Sequence, residues 1–361
     1  MFQILHLVYP GLSGSKDVAF SLIDADKKKK LSQNILFVGP TLPNQDIKKS
    51  KKLGVKFDWV KSTKFIYFSS IFQVLFKINF FKPDLILIHN YYIISCVFYK
   101  IFNPKVKLFY INHKPIPLLD WRDKQIKYFS NFFDKIIVLN KNSLDSINYL
   151  YKVPFKKISI IPNGVKTNFF IPKLQKKKFS FLKMGMACRV NKSKLYDLIA
   201  NALNSNSLKN LNIKFSLAGT GEDLENFKVR IKHMGLQEKI EFVGHLNQAD
   251  LKKWLANLDL YIQASKGEGM SISLLSAMSS GVPVLASRVE GIKDLLCKKY
   301  LGILFNNNVA ELAKKIKFFY FLNKKEKTKY SQISRKYIIS NFTYEKMFKS
   351  YFFEINQSLN R

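Results

Sequence analysis

Cysteine is scarce in this chain of 361 residues: Cys96, Cys188 and Cys297 stand far apart and never form C-x-x-C. That excludes a disulfide framework and the common zinc spacings, and it fits a reducing compartment, here expected to be the cytoplasm. Acidic residues are also few, 25 against 60 lysines and arginines, which leaves a net charge of +35. Arginine is rare as well. It occurs only as Arg122, Arg189, Arg230, Arg288, Arg335 and Arg361, so the charge is nearly all lysine. Plentiful Lys, Asn, Ile and Phe is the mark of AT-rich coding, which accounts for much of this charge without cancelling its attraction for phosphates. No zinc-finger spacing or RRM-type aromatic signature accompanies it, so no specific nucleic-acid partner is expected. Long apolar runs are missing too. Residues 65–81 are the most lipid-like, but Ser69, Ser70, Gln73, Lys77 and Asn79 interrupt them, and no stretch is long enough to span a bilayer. The first nine residues lack a basic segment and run into a strand pattern, so no signal peptide is expected.

What is present is a chain long enough for two ordinary domains, with an apolar content of 47% that suits packed cores. Residues 258–287 organise the reading. Residues 258–264 form a short apolar run suited to a buried strand. Gly267 and Gly269 bracket Glu268 in a turn, and Ser271 stands where a helix N-cap belongs. Ile272, Leu275 and Met278 recur on one helical face, Gly281 stops the helix, and residues 282–286 read as the next strand. Strand, Gly-bracketed turn and helix N-terminus together make an anion site. A carboxylate at that place either caps or solvates the turn, or holds something else, such as sugar hydroxyls.

The same unit recurs along the chain. Gln3–Val8 reads as a strand, followed by a loop with Gly11, Gly14 and Ser15 and a helix under way by Val18. Residues 34–38, 55–60, 84–89, 106–112, 134–139 and 157–161 continue the strand series, with helices between. Asp24-Ala-Asp26 mimics a metal-binding pair but falls at a helix end before four lysines, and reads as a solvated face. His89 and His113 fall at strand ends, where ligands of doubly wound sheets sit, although a lone histidine there is commonly structural. Residues 175–178 are a charge-rich boundary. Beyond them, residues 181–187 form a strand, followed by Cys188-Arg189-Val-Asn-Lys192-Ser-Lys194 and a helix from about Leu195. Residues 213–219 lead to Thr220-Gly221-Glu222, and residues 240–246 end Gly244-His245-Leu246. Alternating strands and helices in both halves argue for parallel, doubly wound sheets.

Ser265 to Val284 resembles the nucleotide-recognition motif of family 4 glycosyltransferases, Ser-x-x-Glu-Gly-x6-Glu-Ala-Met-x-x-Gly-x-Pro-Val, except that Ser276 replaces the second Glu. Residues 160–165 resemble the family's Ile-Pro-Asn-Gly-Val, and residues 188–195 its Gly-Arg-Leu-x-x-x-Lys-Gly, with Cys188 and Leu195 in place of the glycines. Gly11 to Ser15 resembles its acceptor-side Gly-x-Gly-Gly loop. The resemblance implies an α/β chain of the GT-B fold, two doubly wound Rossmann-like domains facing across a cleft, with a C-terminal helix crossing back to the first. The expected division is 1–165 for the acceptor side, 166–178 for a linker, 179–335 for the nucleotide-sugar domain and 336–361 for the returning segment. It further implies that Arg189 and Lys194 bind the donor diphosphate, that Glu268 binds donor-sugar hydroxyls, and that His113 faces the sugar from across the cleft. Gly219, Gly221, His245, Leu246, Gly269, Met270, Ser271 and Ser276 then line the donor.

The function so implied is a retaining transfer, needing neither metal nor cofactor, from a nucleotide-diphosphate sugar to a saccharide or lipid-linked acceptor, in cell-surface polysaccharide synthesis. The alternative is a catalytically impaired relative acting as a scaffold, which Ser276 and the lost glycines motivate. Charge and acceptor class also imply contact with an anionic membrane at its cytoplasmic face, through residues 65–81 and the lysines of 48–52. On their own, residues 65–81 read first as an ordinary buried helix.

Overall fold

The first strand, β1 (Gln3–Val8), is apolar on both faces because it runs through the middle of a parallel sheet. The computed structural model describes residues 1–11, 14–63, 67–89, 92–114, 121–173 and 180–359. The charge-rich boundary at 175–178, residues 12 and 13 of the first glycine loop, and residues 65 and 66 of the lipid-like run lie outside the described residues. After β1 come α1 (Gly14–Ala25), β2 (Ser32–Gly39), α2 (Asn44–Leu53), β3 (Phe57–Lys61), α3 (Tyr67–Phe81) and β4 (Leu85–Ile88). Then follow α4 (Ile93–Phe102), β5 (Lys107–Ile111), α5 (Trp121–Phe129), β6 (Lys135–Val138), α6 (Lys141–Tyr151) and β7 (Ile158–Ile160). The seven strands pair in parallel in the order β3-β2-β1-β4-β5-β6-β7. The winding reverses between β1 and β4, and that switch point is where an open α/β sheet leaves a crevice.

A second sheet is built the same way from β8 (Leu182–Ala187), α7 (Tyr196–Asn204), β9 (Ile213–Ala218), α8 (Leu224–His233), β10 (Ile240–Gly244), α9 (Gln248–Ala256) and β11 (Leu260–Gln263). It continues through α10 (Ile272–Ser279), β12 (Val284–Ser287), β13 (Ile303–Phe305), α11 (Val309–Phe321) and α12 (Lys324–Asn341). The order is β10-β9-β8-β11-β12-β13, with the switch between β8 and β11. The last helix, α13 (Tyr344–Leu359), belongs with the first sheet. Contacts divide the chain into Met1–Gly164 with Tyr344–Arg361, and Val165–Thr343. Tyr344, Met347, Tyr351 and Ile355, spaced as one helical face, are the buried side of α13. Glu354 fastens it by accepting from Ser159 Oγ at 2.8 Å and pairing with Lys135 at 3.0 Å.

Two expectations change. Asp26 is not solvated: it is buried, and its carboxylate accepts from the backbone N–H groups of Lys30 and Leu31 and from Gln33 Nε2. A buried carboxylate needs such donors, and here it closes the turn after α1, while Asp24 takes the surface pairing with Lys27. Nor is α3 an ordinary buried helix. Ile71, Val74 and Ile78 pack on the sheet, but Phe68, Phe72, Phe76 and Phe80, each one turn apart, are 71–79% exposed. Phe98, Ile101 and Phe102 on the neighbouring α4 are exposed as well. The lysines of α2 are not part of that face. Leu53 of α2 packs with Phe20, Ile35 and Phe37 on one side of the sheet, whereas α3 packs with Leu5, Leu7 and Leu36 on the other.

Candidate active site

In the second unit, the loops after β8 and β11 flank the switch point, and main-chain pairing laces them together. Leu195 N donates to Ala264 O at 3.0 Å, Lys266 N donates to Ser193 O at 3.0 Å, and Lys194 forms an antiparallel bridge with Ser265. That register brings the Lys194 side chain to the Glu268 turn, 74 residues away. Glu268 Oε1 takes three donors: Lys194 Nζ in a short contact, Ser265 Oγ at 2.7 Å and Gln263 Nε2 at 2.8 Å. Gln263 is itself oriented. Its Oε1 accepts from Ser271 Oγ at 3.2 Å and faces the Tyr261 hydroxyl at 3.1 Å. The side chains of Lys194 and Glu268 keep 17% and 12% of their surface exposed, so the pair is neither free in solvent nor sealed. Among the described residues, Glu268 Oε2 has no hydrogen-bond partner, which leaves one carboxylate oxygen for a ligand hydroxyl.

Two further loops lie beside these. Cys188 N donates to Ala218 O, Val190 N to Thr220 O, Asp223 N to Val190 O and Gly219 N to Gly244 O. Gly219 has a φ of +135°, and a Cβ there would lie 1.8 Å from Cys188 O; one at Gly221 would lie 2.2 Å from Val190 O. Both glycines therefore act by permitting this close approach. Arg189 points outward and pairs with Glu222 at 3.2 Å, both more than half exposed. His245 is exposed, and Leu246 and Met270 are each half-buried against the core. Ser271 caps α10 by accepting from Leu274 N, as its sequence context indicates, and Gly269 is buried in the turn. Ser276 is 1% exposed and its hydroxyl donates to Ile272 O at 2.8 Å, so it is turned into its own helix. The Cys188 thiol is pushed up to about 12 by burial and stays protonated at neutral pH.

In the first unit, Gly11 N donates to Asp46 Oδ2 at 2.9 Å, and Asp46 forms a buried pair with Lys16 at 2.6 Å. Lys16 also donates to Gly11 O at 2.5 Å, so this pair fixes the start of the loop. Gly14 opens α1, and Ser15 is buried in its first turn. His89 and His113 are joined to His6 in a row: His6 Nδ1 to His89 Nε2 at 3.1 Å, and His89 Nδ1 to His113 Nε2 at 3.1 Å. His6 Nε2 meets Gln33 Oε1 at 2.9 Å. Burial lowers His6 to about 4 and His113 to about 3, and with the neighbouring rings it holds His89 well below the ordinary value. Among the described residues, no three His, Cys, Asp or Glu side chains are grouped to hold a metal ion.

The sequence pattern of the family described as glycosyl transferases group 1 matches residues 165–337, and that of glycosyltransferase family 4 matches residues 38–169. Together they take in most of the chain. It belongs to the group 1, family 4 glycosyltransferases. An O-antigen biosynthesis glycosyltransferase, WclY of Escherichia coli, is 28% identical over 174 residues, covering 45% of this chain and 46% of the relative. A UDP-Gal:alpha-D-GlcNAc-diphosphoundecaprenol alpha-1,3-galactosyltransferase of the same species is 27% identical over 186 residues, 48% of this chain and 47% of the relative. The chain thus spans about half the length of these curated relatives. The crystal structure of Anabaena Alr3699/HepE in complex with UDP-glucose superposes with a TM-score of 0.83 at 15% identity, covering 99% of this chain and 100% of that one. The fold is GT-B.

The second-unit site also holds residues to which the motif reading gave no role. Gln263 and Ser265 orient Glu268, Ser287 Oγ accepts from Ser265 N at 3.0 Å, and Asn307 Nδ2 donates to Ser265 O at 3.0 Å. Gly291 has a φ of +79° and packs so tightly under the turn that a Cβ would lie 2.3 Å from Glu268 O. The one signal available was Gln263 and Ser265 at alternate positions of an apolar strand end, polar where burial demands partners.

Proposed function

We propose that this chain is a retaining glycosyltransferase, independent of metal and cofactor, that moves a sugar from a nucleotide-diphosphate donor to a saccharide or lipid-linked acceptor in cell-surface polysaccharide synthesis. The observation that carries the reading is Glu268, held by three donors on one oxygen beside Lys194 and open on the other, at the switch point of the second sheet. The open oxygen accepts from donor-sugar hydroxyls. Lys194 and Arg189 follow the negative charge that builds on the diphosphate as the anomeric carbon–oxygen bond breaks. The acceptor hydroxyl bonds to that carbon on the same face, and its proton leaves with the nucleotide diphosphate. Lys194 is tied to Glu268 beforehand, so the donor is met by a cation already placed rather than one drawn from solvent. The α10 N-terminus and the Gly269–Ser271 main chain orient the donor, and His113 presents its ring to a substrate hydroxyl.

The family and the O-antigen relative support the pathway class, and the diphosphoundecaprenol in the second relative's name supports a lipid-linked acceptor. Contact with an anionic leaflet, where the cytoplasmic face meets such lipids, is supported by the exposed phenylalanines of α3 and α4. Monomeric proteins seldom expose so continuous an apolar strip. Exposed Lys82 and Lys105 follow the ends of these helices, and no helix among the described residues is long and apolar enough to cross a membrane. The decisive experiment is turnover with a panel of sugar nucleotides, for the wild type and for Glu268→Ala and Lys194→Ala. Intact turnover in both variants would remove these residues from the mechanism. The scaffold reading has one observation in its favour, the inward Ser276 hydroxyl, and calorimetry separates the two, because an enzyme must bind a sugar nucleotide whereas a scaffold need not.

A further inference from the structure

We propose that Asp26 and Gln33, acting through His6 and His89, fix His113 as a neutral imidazole whose Nδ1 accepts a hydrogen bond from a substrate hydroxyl. The row begins at a group with only one polarity. The Asp26 carboxylate accepts from Lys30 N at 2.9 Å, from Leu31 N at 3.0 Å and from Gln33 Nε2 at 3.2 Å. Because that carboxylate has nothing to donate, Gln33 turns its NH2 group toward Asp26 and its carbonyl oxygen toward His6. His6 Nε2 must then carry the hydrogen, and in a neutral ring Nδ1 is left to accept. His89 Nε2 supplies that hydrogen, and His89 Nδ1 accepts from His113 Nε2. The last lone pair in the row is His113 Nδ1.

Each link holds one hydrogen, so no ring can change tautomer alone without setting two lone pairs or two hydrogens face to face. His6 and His89 are 0% exposed, so water cannot repair such a fault. Burial keeps the rings neutral, which the logic requires. His113 is only half-buried, and its Nδ1 has no partner among the described residues. The row lies where the first sheet reverses its winding, since His6 is on β1, His89 follows β4 and His113 follows β5. An acceptor there favours a hydroxyl over a phosphate or carbonyl oxygen, which brings no hydrogen of its own. Asp26, Gln33, His6 and His89 are positioning residues. Naming the ligand as a sugar hydroxyl rests on the proposed function; the tautomers do not.

The test uses the full chain with 15N-labelled histidine and reads the ring nitrogens by multiple-bond 1H–15N correlation at pH 7. Hydrogen on Nε2 and none on Nδ1 is expected at His6, His89 and His113. In Gln33→Leu the row loses its anchor, and His113, which does not touch Gln33, is expected to shift toward a tautomer mixture. Hydrogen on His113 Nδ1 in the wild type, or an unchanged His113 spectrum in Gln33→Leu, would overturn the proposal; the wild-type spectrum decides the tautomers even where the variant does not fold. With a donor in hand, kcat/KM in Gln33→Leu should fall in proportion to the fraction of His113 that loses the hydrogen on Nε2, about twofold for an even mixture. Full turnover despite mixed tautomers would refute the role toward substrate. Tautomers as stated in a chain without transferase activity would support the row and overturn the proposed function instead.

Discussion

Acidification from pH 7 to pH 5 should loosen the first sheet and spare the second. His6 and His89 are fully buried, and His6 is held at about 4 while His89 is held well below its ordinary value. Among the described residues, the groups acting on them are Gln33 and the neighbouring rings, and no ion pair offsets the burial. Each ring therefore stays neutral in the folded chain at pH 5, while the unfolded chain protonates near 6.5. The unfolded state then binds more protons, so stability is full above the unfolded pKa and is lost as pH falls toward the folded one. The loss is about 1.4 kcal/mol per pH unit for each ring below 6.5, or about 2 kcal/mol per ring at pH 5. Two rings give about 4 kcal/mol, a large share of the 5–15 kcal/mol (roughly) that holds an ordinary domain. His113, held lower still at about 3, acts in the same direction. The other two histidines, His233 and His245, are exposed on the second unit. Hydrogen exchange resolved by peptide is the suitable assay, because a chain of two units is not expected to unfold in one step. After correction for intrinsic rates, β1 and β4 should lose on the order of a thousandfold in protection, with β8 and β11 as the control in the same sample. Equal change in both sheets, or less than about tenfold in β1, would refute the reasoning.

Four more outcomes can be measured. Lys194→Ala and Glu268→Ala should each lower kcat by about 100- to 1,000-fold, the usual cost of removing one preorganised electrostatic contact, whereas Arg189→Ala should leave the melting temperature unchanged, because its pair with Glu222 is exposed. Ser276→Glu should lower the melting temperature of the free protein, since it puts a carboxylate where the native side chain is 1% exposed; if the carboxylate reaches the ribose, Kd for the donor tightens about tenfold to a hundredfold with little change in kcat. Gly291→Ala should weaken donor binding without altering any polar side chain, because its Cβ meets Glu268 O and Gly269 O at 2.3 and 2.4 Å; donor Kd by calorimetry is the readout. Vesicle sedimentation should show stronger binding to anionic than to neutral lipid, and Phe72→Glu with Phe76→Glu should abolish the part that survives high salt, since these side chains are 74% and 72% exposed.

The positions of the strands, the Ser271 cap, the glycine turns and the family were legible in the sequence, because each is written in a window of a few residues. Strand apolarity, N-cap chemistry and the stop at Gly281 depend on near neighbours, and the Glu268 motif is one contiguous stretch. The partners of these residues were not legible. Lys194 meets Glu268 across 74 residues, and His6 meets His89 across 83, through strand order and register that no local pattern encodes. Asp26 looked like a solvated charge beside four lysines, yet the turn it closes buries it. The phenylalanines of α3 had the spacing of a buried face, and only the sheet beneath them shows that the narrower Ile71, Val74 and Ile78 stripe faces inward. Ser276 was read as part of the donor surface, but its hydroxyl satisfies its own helix. In each case the sequence carries the chemical capacity of a side chain, while its partner is set by which strands the chain lays next to one another, because a buried polar group gains by bonding with what that packing brings near.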